Sequence, residues 1–117
     1  MRRLVLIALI FLTLPAAPAG AAGAAVSMVN ARFEPPEVRV PAGSTVTWTN
    51  DDSMAHEINA DDRSFASSPT CNGATGTGCM APGDTFSHTF PAAGRYPYHC
   101  RLHGSPGKGM TGVVVVG

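Results

Sequence analysis

Charge is scarce in this sequence and neither sign prevails: 14% of the residues are charged, eight basic against eight acidic. Without a basic excess there is no face for a nucleic-acid backbone, which argues against nucleic acid as a partner. No apolar run is long enough to cross a bilayer as a helix, so no transmembrane anchor is expected. The one sustained run, Leu4 to Leu14, is too short for that. No stretch of useful length has the apolar period of a helix, which removes helical folds from consideration. Internal repeats and interdomain linkers are missing as well, leaving one domain as the simplest organisation.

What is present begins with an N-terminal pattern. Arg2 and Arg3 form a basic head, the apolar run follows, and residues 15–25 are rich in Ala, Gly and Pro. That order is a secretory signal peptide, with small-residue sites at Ala19-Gly20-Ala21 and Ala22-Gly23-Ala24. Cleavage is expected near Ala24, which makes residues 1–24 a leader and 25–117 a single small domain. No cysteine lies near the cleavage region to take a lipid. The product is expected in the periplasm or outside the cell, as a monomer. Losing Arg2 and Arg3 leaves six basic against eight acidic residues. Asp51, Asp52, Glu57, Asp61 and Asp62 cluster, as a solvated loop or as a docking patch for a basic partner.

Three cysteines in an exported chain divide unevenly. Cys71 and Cys79 flank the Gly-rich segment Asn72 to Gly78, flexible enough to bring the sulfurs together, and an oxidising compartment favours the pairing. Cys100 is then left over, for intermolecular pairing or as a reactive or metal-binding thiol.

Strand signals fill the domain. Val26 to Phe33 begins it, and Val38 and Val40 precede the turn Pro41-Ala42-Gly43. Ser44 to Thr49 alternates, with Val46 and Trp48 on one face and Thr45, Thr47 and Thr49 on the other. Trp48 reads as core. Asp84 to Phe90 places Phe86, His88 and Phe90 together, and His88 reads as a packed structural residue. Arg95 to Cys100 follows the turn at Pro91 to Gly94, and Thr111 to Val116 closes the domain with valines suited to a strand buried on both sides. Such spacing indicates an all-β sandwich. Residues 61–82 have neither period and read as a long loop, with room for a turn of helix, stapled by Cys71 and Cys79.

The chemistry lies near the end, in GRYPYHCRLHGSPGKGM. Strand parity puts Tyr96, Tyr98 and Cys100 on one face, so Cys100 points inward while His99 points away. His103 follows in a Gly/Pro-rich loop suited to doubling back around an ion, and Met110 ends that loop before the last strand. His56 comes from a distant connection after Asn50-Asp51-Asp52-Ser53. A thiolate, two imidazoles and a long, weak thioether bond define a blue-copper electron-transfer centre. Met28, Met54 and Met80 are alternative thioethers, and a tetrahedral zinc site of Cys71, Cys79, Cys100 and His103 is the competing metal site.

VTWTNDDSMAH, then GRYPYHC, a histidine three residues on, and GMTGVVVV together resemble the plastocyanin-like cupredoxins over essentially the whole domain. The resemblance implies a Greek-key β-sandwich with copper near one end. His56, Cys100 and His103 would be the equatorial ligands and Met110 the axial one. It also implies a one-electron carrier, cycling between Cu(II) and Cu(I) and serving redox partner proteins. The copper loop, with Gly104 to Gly109 between His103 and Met110, is longer than the family's. Glu57 follows the first ligand histidine where relatives often have an uncharged residue, and its carboxylate is expected to favour the oxidised form. His99, where relatives often have an aromatic residue, is a candidate for partner contact. Leu102, Met54 and Ala55 are expected to form an apolar rim around an exposed His103 edge. The alternative function is copper storage or delivery without redox turnover. No acid–base constellation or open coordination position points to an enzyme.

Overall fold

The computed structural model describes residues 7–10 and 23–117. Residues 1–6 and 11–22, which hold most of the expected leader, lie outside the described residues. Eight strands form two four-stranded sheets: β1 (Gly23–Val29), β2 (Arg32–Glu34), β3 (Glu37–Val40), β4 (Ser44–Asn50), β5 (Asn59–Ala60), β6 (Thr85–Phe90), β7 (Gly94–Ser105) and β8 (Lys108–Val116). One sheet has the order β2-β1-β4-β6 and the other β3-β8-β7-β5, so the chain repeatedly crosses between layers in the manner of a Greek key. β1 runs parallel to β4 and β3 to β8, while the remaining pairs are antiparallel. The expected β-sandwich is therefore present, and no described residue lies in a helix, including in the long loop.

Alternation in β4 decides the core. Ser44, Val46, Trp48 and Asn50 are buried while the intervening threonines are half-exposed. The outward face pairs hydroxyls across to β6, Thr45 with Thr89 at 2.8 Å and Thr47 with Ser87 at 2.7 Å. Trp48 meets Tyr98 of the opposite sheet edge-to-face at 5.4 Å, and Phe33 meets the same tyrosine at 4.7 Å. These rings fill the space between the layers. The last strand departs from expectation: Val114 and Val116 are buried, but Val113 and Val115 only half so. The sheet carrying β8 has one face in the core and one toward solvent, so its valines alternate like any other strand's.

Register in β1 reaches Gly23 and Ala24, which pair with Thr45 and Val46. The first strand thus includes two residues assigned to the leader by the sequence pattern. β1 turns into β2 through Asn30 and Ala31, both at φ 53, a two-residue turn whose mirror-image twist suits a hairpin.

The segment 61–82 is tied down along its length. Its first part folds back on β5, with Ala60 N–H donating to Phe65 O at 2.9 Å and Ser67 N–H to Ile58 O at 2.8 Å. Phe65 enters the core beside Trp48, Phe90 and His88. Cys71 and Cys79 form the expected disulfide. Immediately after it, Met80 is buried and pairs with His56. Two apolar plugs and a crosslink account for the order of a loop with no strand of its own.

Candidate metal centre

The hairpin β7–β8 is longer than the sequence pattern indicated, because both strands continue through the expected loop. Ser105 pairs with Lys108 and Gly104 with Gly109 around a two-residue turn, Pro106-Gly107. Proline fixes φ at the first turn position and Gly107, at φ 74, supplies the left-handed second one. The hairpin neck is too narrow for side chains. A Cβ on Gly104 would lie 2.5 Å from Lys108 O, and one on Gly109 would lie 2.5 Å from His103 O. Between His99 and Gly104 the register shifts, and this bulge carries Cys100 and His103.

His56 arrives from the β4–β5 connection. Its backbone exchanges both hydrogen bonds with Met80, His56 N–H to Met80 O at 3.1 Å and Met80 N–H to His56 O at 2.9 Å. Asn50, fully buried at the end of β4, is the hub: its Nδ2 donates to Met54 O at 2.8 Å and Met80 O at 3.0 Å, and its Oδ1 accepts from Asp52 N–H at 3.0 Å. This buried amide closes the turn that presents His56.

One donor atom each from His56, Cys100 and His103 falls within a group spanning 4.8 Å, the one such cluster of three among the described residues. His56 Nδ1 lies 3.9 Å from Cys100 Sγ and His103 Nδ1 lies 3.8 Å from it. A thiolate and an imidazole bound to one ion, with bonds of about 2.3 and 2.0 Å at angles near 110–120°, lie roughly 3.5–3.7 Å apart, close to the separations seen. The donor set therefore fits a single ion of this kind. His56 and Cys100 are fully buried and His103 is half-exposed. Met110 is buried at 2% exposure on β8, opposite the bulge. Met28 is buried at the top of β1, Met80 is taken up beside His56, and Met54 lies at the surface. With Cys71 and Cys79 joined to each other, the zinc alternative loses two of its four ligands.

Burial pushes the Cys100 thiol above its ordinary value, opposed by backbone N–H groups of Glu57, Leu102 and His103 directed at the sulfur. Those three donors are suited to a thiolate, the form that binds metal. Burial also holds the His103 imidazole below its usual value, reinforced by His56 and opposed by Asp52, which keeps the ring neutral for ligation.

Three residues around the site behave differently from expectation. Glu57 is fully buried, yet its carboxylate does not stand free: Arg101 Nε donates to Oε1 at 2.6 Å and Nη2 to Oε2 at 2.9 Å, with Arg101 N–H also directed at Oε1. The charge expected to favour the oxidised state is neutralised by the residue after Cys100. His99 points away from the donors as parity requires, but it is buried at 8% exposure and its Nδ1 lies 2.6 Å from Asp61 Oδ1. It is largely buried and ties the start of the long loop to β7. Asp52, read as part of a solvated acidic loop, has its side chain largely buried against His56. By contrast His88 behaves as read, stacked on Phe65 at 4.6 Å.

Sequence reasoning missed Asn50, Asp52, Arg101 and Met80. The only signal for the first two was the Asn-Asp-Asp-Ser run, which marks a turn without saying what the side chains hold. Arg101 gave none, and Met80 was read only as an alternative thioether, because their partners lie far away in sequence.

Comparison with known proteins agrees with this geometry. A family model for copper-binding proteins of the plastocyanin/azurin family matches residues 21–117. The chain is 36% identical over 85 residues to plastocyanin of Scenedesmus fuscus, covering 72% of this chain and 85% of that one. It is 36% identical over 91 residues to amicyanin-alpha of Methylorubrum extorquens, covering 78% of this chain and 69% of that one. Among solved structures, a purple cupredoxin from Nitrosopumilus maritimus superposes with a TM-score of 0.64 at 30% identity, covering 80% of this chain and 99% of that one.

Proposed function

This chain belongs to the plastocyanin/azurin family of copper-binding proteins, and from that premise we propose that it is an exported blue copper protein carrying single electrons between redox partner proteins. The observation that carries the proposal is the convergence of His56, Cys100 and His103 donors on one point of a rigid sandwich. In this reading those three are the equatorial ligands and Met110, buried opposite the bulge, supplies the weak axial thioether. Copper in such a donor set supplies one-electron chemistry by alternating between Cu(II) and Cu(I). The protein's part is to hold Cys100 as a buried thiolate, keep both Nδ1 lone pairs aimed inward and exclude water. A hairpin whose neck admits no side chain and a histidine pinned by two backbone bonds resist rearrangement, which keeps reorganisation on electron transfer small. In this reading the half-exposed His103, next to Leu102 in the chain, is the surface offered to partners, with Ala55 and the exposed Met54, which precede His56, extending its apolar rim.

Burial of His56 and Cys100 favours a carrier over copper storage or delivery, which needs donors that an acceptor protein can reach. Among the described residues no helix is long and apolar enough to cross a membrane. The N-terminal residues, taken as 1–24, act as the export leader, and of its two small-residue sites cleavage after Ala21 would leave β1 whole where cleavage after Ala24 would remove two paired residues. The intact mass of the exported protein distinguishes the two sites.

The function is tested by absorption and EPR spectroscopy with voltammetry on the copper-loaded protein. An intense visible thiolate-to-Cu(II) band and a reversible one-electron couple are expected; Cys100→Ser abolishes the band and Met110→Ala alters the EPR spectrum and the potential. A wild-type protein lacking the band, or one that passes copper readily to an acceptor without a reversible couple, overturns the assignment.

A further inference from the structure

His56 has two ring nitrogens and no access to solvent, so both must be satisfied inside the protein. Nδ1 faces the Cys100 sulfur at 3.9 Å and Nε2 faces Asp52 Oδ2 at 2.9 Å. An ionised carboxylate accepts hydrogen bonds and donates none, so the proton between the two sits on Nε2. The Nδ1 lone pair is thereby directed at the donor cluster.

Asp52 is itself fixed from several sides. Ala31 N–H donates to Oδ2 at 2.9 Å, Ser53 N–H donates to Oδ1 at 2.9 Å, and its own N–H is held by Asn50 Oδ1 at 3.0 Å. Ala31 does so from the left-handed conformation of the β1–β2 turn, an unusual backbone state for a residue with a Cβ. These contacts, with the His56 ring, surround both oxygens with N–H donors, the setting that suits an ionised carboxylate. No such anion serves the second imidazole: among the described residues, no carboxylate lies within hydrogen-bonding distance of the His103 ring. The two histidines are therefore unlike. His56 is backed by a fixed negative charge, whereas His103 is left free toward the surface.

We propose that Asp52 is a positioning residue of the copper centre: its carboxylate locks His56 in the Nε2–H tautomer and, by making that imidazole a stronger donor, biases bound copper toward Cu(II). The inference rests on the blue-copper reading for its redox half only. Groups that orient a ligating histidine through its second nitrogen commonly matter by 10–100-fold in metal affinity.

The sequence supplies its own control, since Asp51 carries the same charge one residue away but is exposed and bonds Ser27 Oγ at 2.6 Å instead of the ring. The experiment compares wild type, Asp52→Asn and Asp51→Asn as full-length exported proteins. Cu(II) and Cu(I) affinities are measured by competition with chelators and the potential by voltammetry, while the His56 ring nitrogens are followed by NMR in the copper-free protein. Asp52→Asn is expected to lower the Cu(II)-to-Cu(I) affinity ratio about tenfold, a rise of about 59 mV for a one-electron couple, with Asp51→Asn shifting it less than threefold. The copper-free wild type is expected to show a slowly exchanging His56 Nε2–H. Equal shifts in the two variants, or a His56 proton on Nδ1 in the wild type, overturn the proposal. If the wild type lacks the charge-transfer band, the blue-copper reading fails, and the tautomer, read without metal, still decides what Asp52 does to His56.

Discussion

Replacing Arg101 with methionine strands the Glu57 carboxylate in the interior, and the structure sets the scale of the loss. The Glu57 side chain is 1% exposed and the Arg101 side chain 50%, and the two are joined at 2.6 and 2.9 Å by a two-pronged contact. Breaking a fully buried pair by removing one partner costs about 3–5 kcal/mol. With the arginine half in water the lower figure applies, so Arg101→Met is expected to lose about 3 kcal/mol, roughly two decades in the unfolding constant. Glu57→Gln in the same background removes the stranded charge and restores most of that loss. The assay is urea unfolding of the copper-free protein, with midpoint and slope determined for wild type, both single variants and the double variant. In the copper-loaded protein Arg101→Met also lowers the reduction potential, because an uncompensated carboxylate then stands beside the thiolate residue's strand. If Arg101→Met and the double variant prove equally unstable, the loss comes from packing of the arginine stem and the charge argument is wrong.

Opening the disulfide by Cys71→Ala with Cys79→Ala should cost about 2.5 kcal/mol, from the chain-entropy relation applied to the sequence separation of 8. Because Met80 follows Cys79 and holds the His56 backbone, copper affinity should fall as well; equilibrium dialysis showing unchanged affinity beside lowered stability would refute the coupling. His88 gives a pH test: desolvation lowers its value below 6.5, so the neutral ring suits the fold. The stability it contributes is full above 6.5 and is lost as pH falls through the folded-state value. His88→Phe should flatten that slope in copper-free protein between neutral pH and pH 5, leaving the part due to His103, which has the same sign. A slope identical to wild type would place the dependence elsewhere.

How much of this was legible in the sequence follows the reach of each signal. Alternation is local, so the half-buried β4 and the inward-pointing Cys100 were readable from neighbouring residues. The disulfide was readable because a Gly-rich segment of suitable length lies between the cysteines. The continuation of β7 and β8 to the Pro106-Gly107 turn was not, since its Gly-rich composition looks like a loop and the pairing depends on two backbones approaching where side chains are absent. Charge was the least legible property. Glu57, Asp52 and His99 each read as solvent-facing or partner-facing groups, and each is satisfied in the interior by a residue that no local period identifies: Arg101, His56 and Asp61. Polar residues are assigned to the surface by default, and only tertiary pairing reverses that default.

The distribution of donors along the chain determines what the rest of the fold must do for the site. Cys100 and His103 belong to one hairpin, and their spacing is set locally by a bulge and a tight turn. His56 lies 44 residues from Cys100, so nothing local can hold it there. Four contacts from separate parts of the chain fix its position instead. They are Asn50 at the end of β4, Asp52 backed by the β1–β2 turn, Met80 after the disulfide, and the Glu57–Arg101 bridge tying the next residue to β7. An imidazole held from one side could shift with whatever ion it met. Held from four, it cannot move without disturbing both sheets and the long loop together. The disulfide-bearing segment, the part of the sequence with the least regular pattern, is in that sense part of the scaffold that keeps the donor geometry fixed.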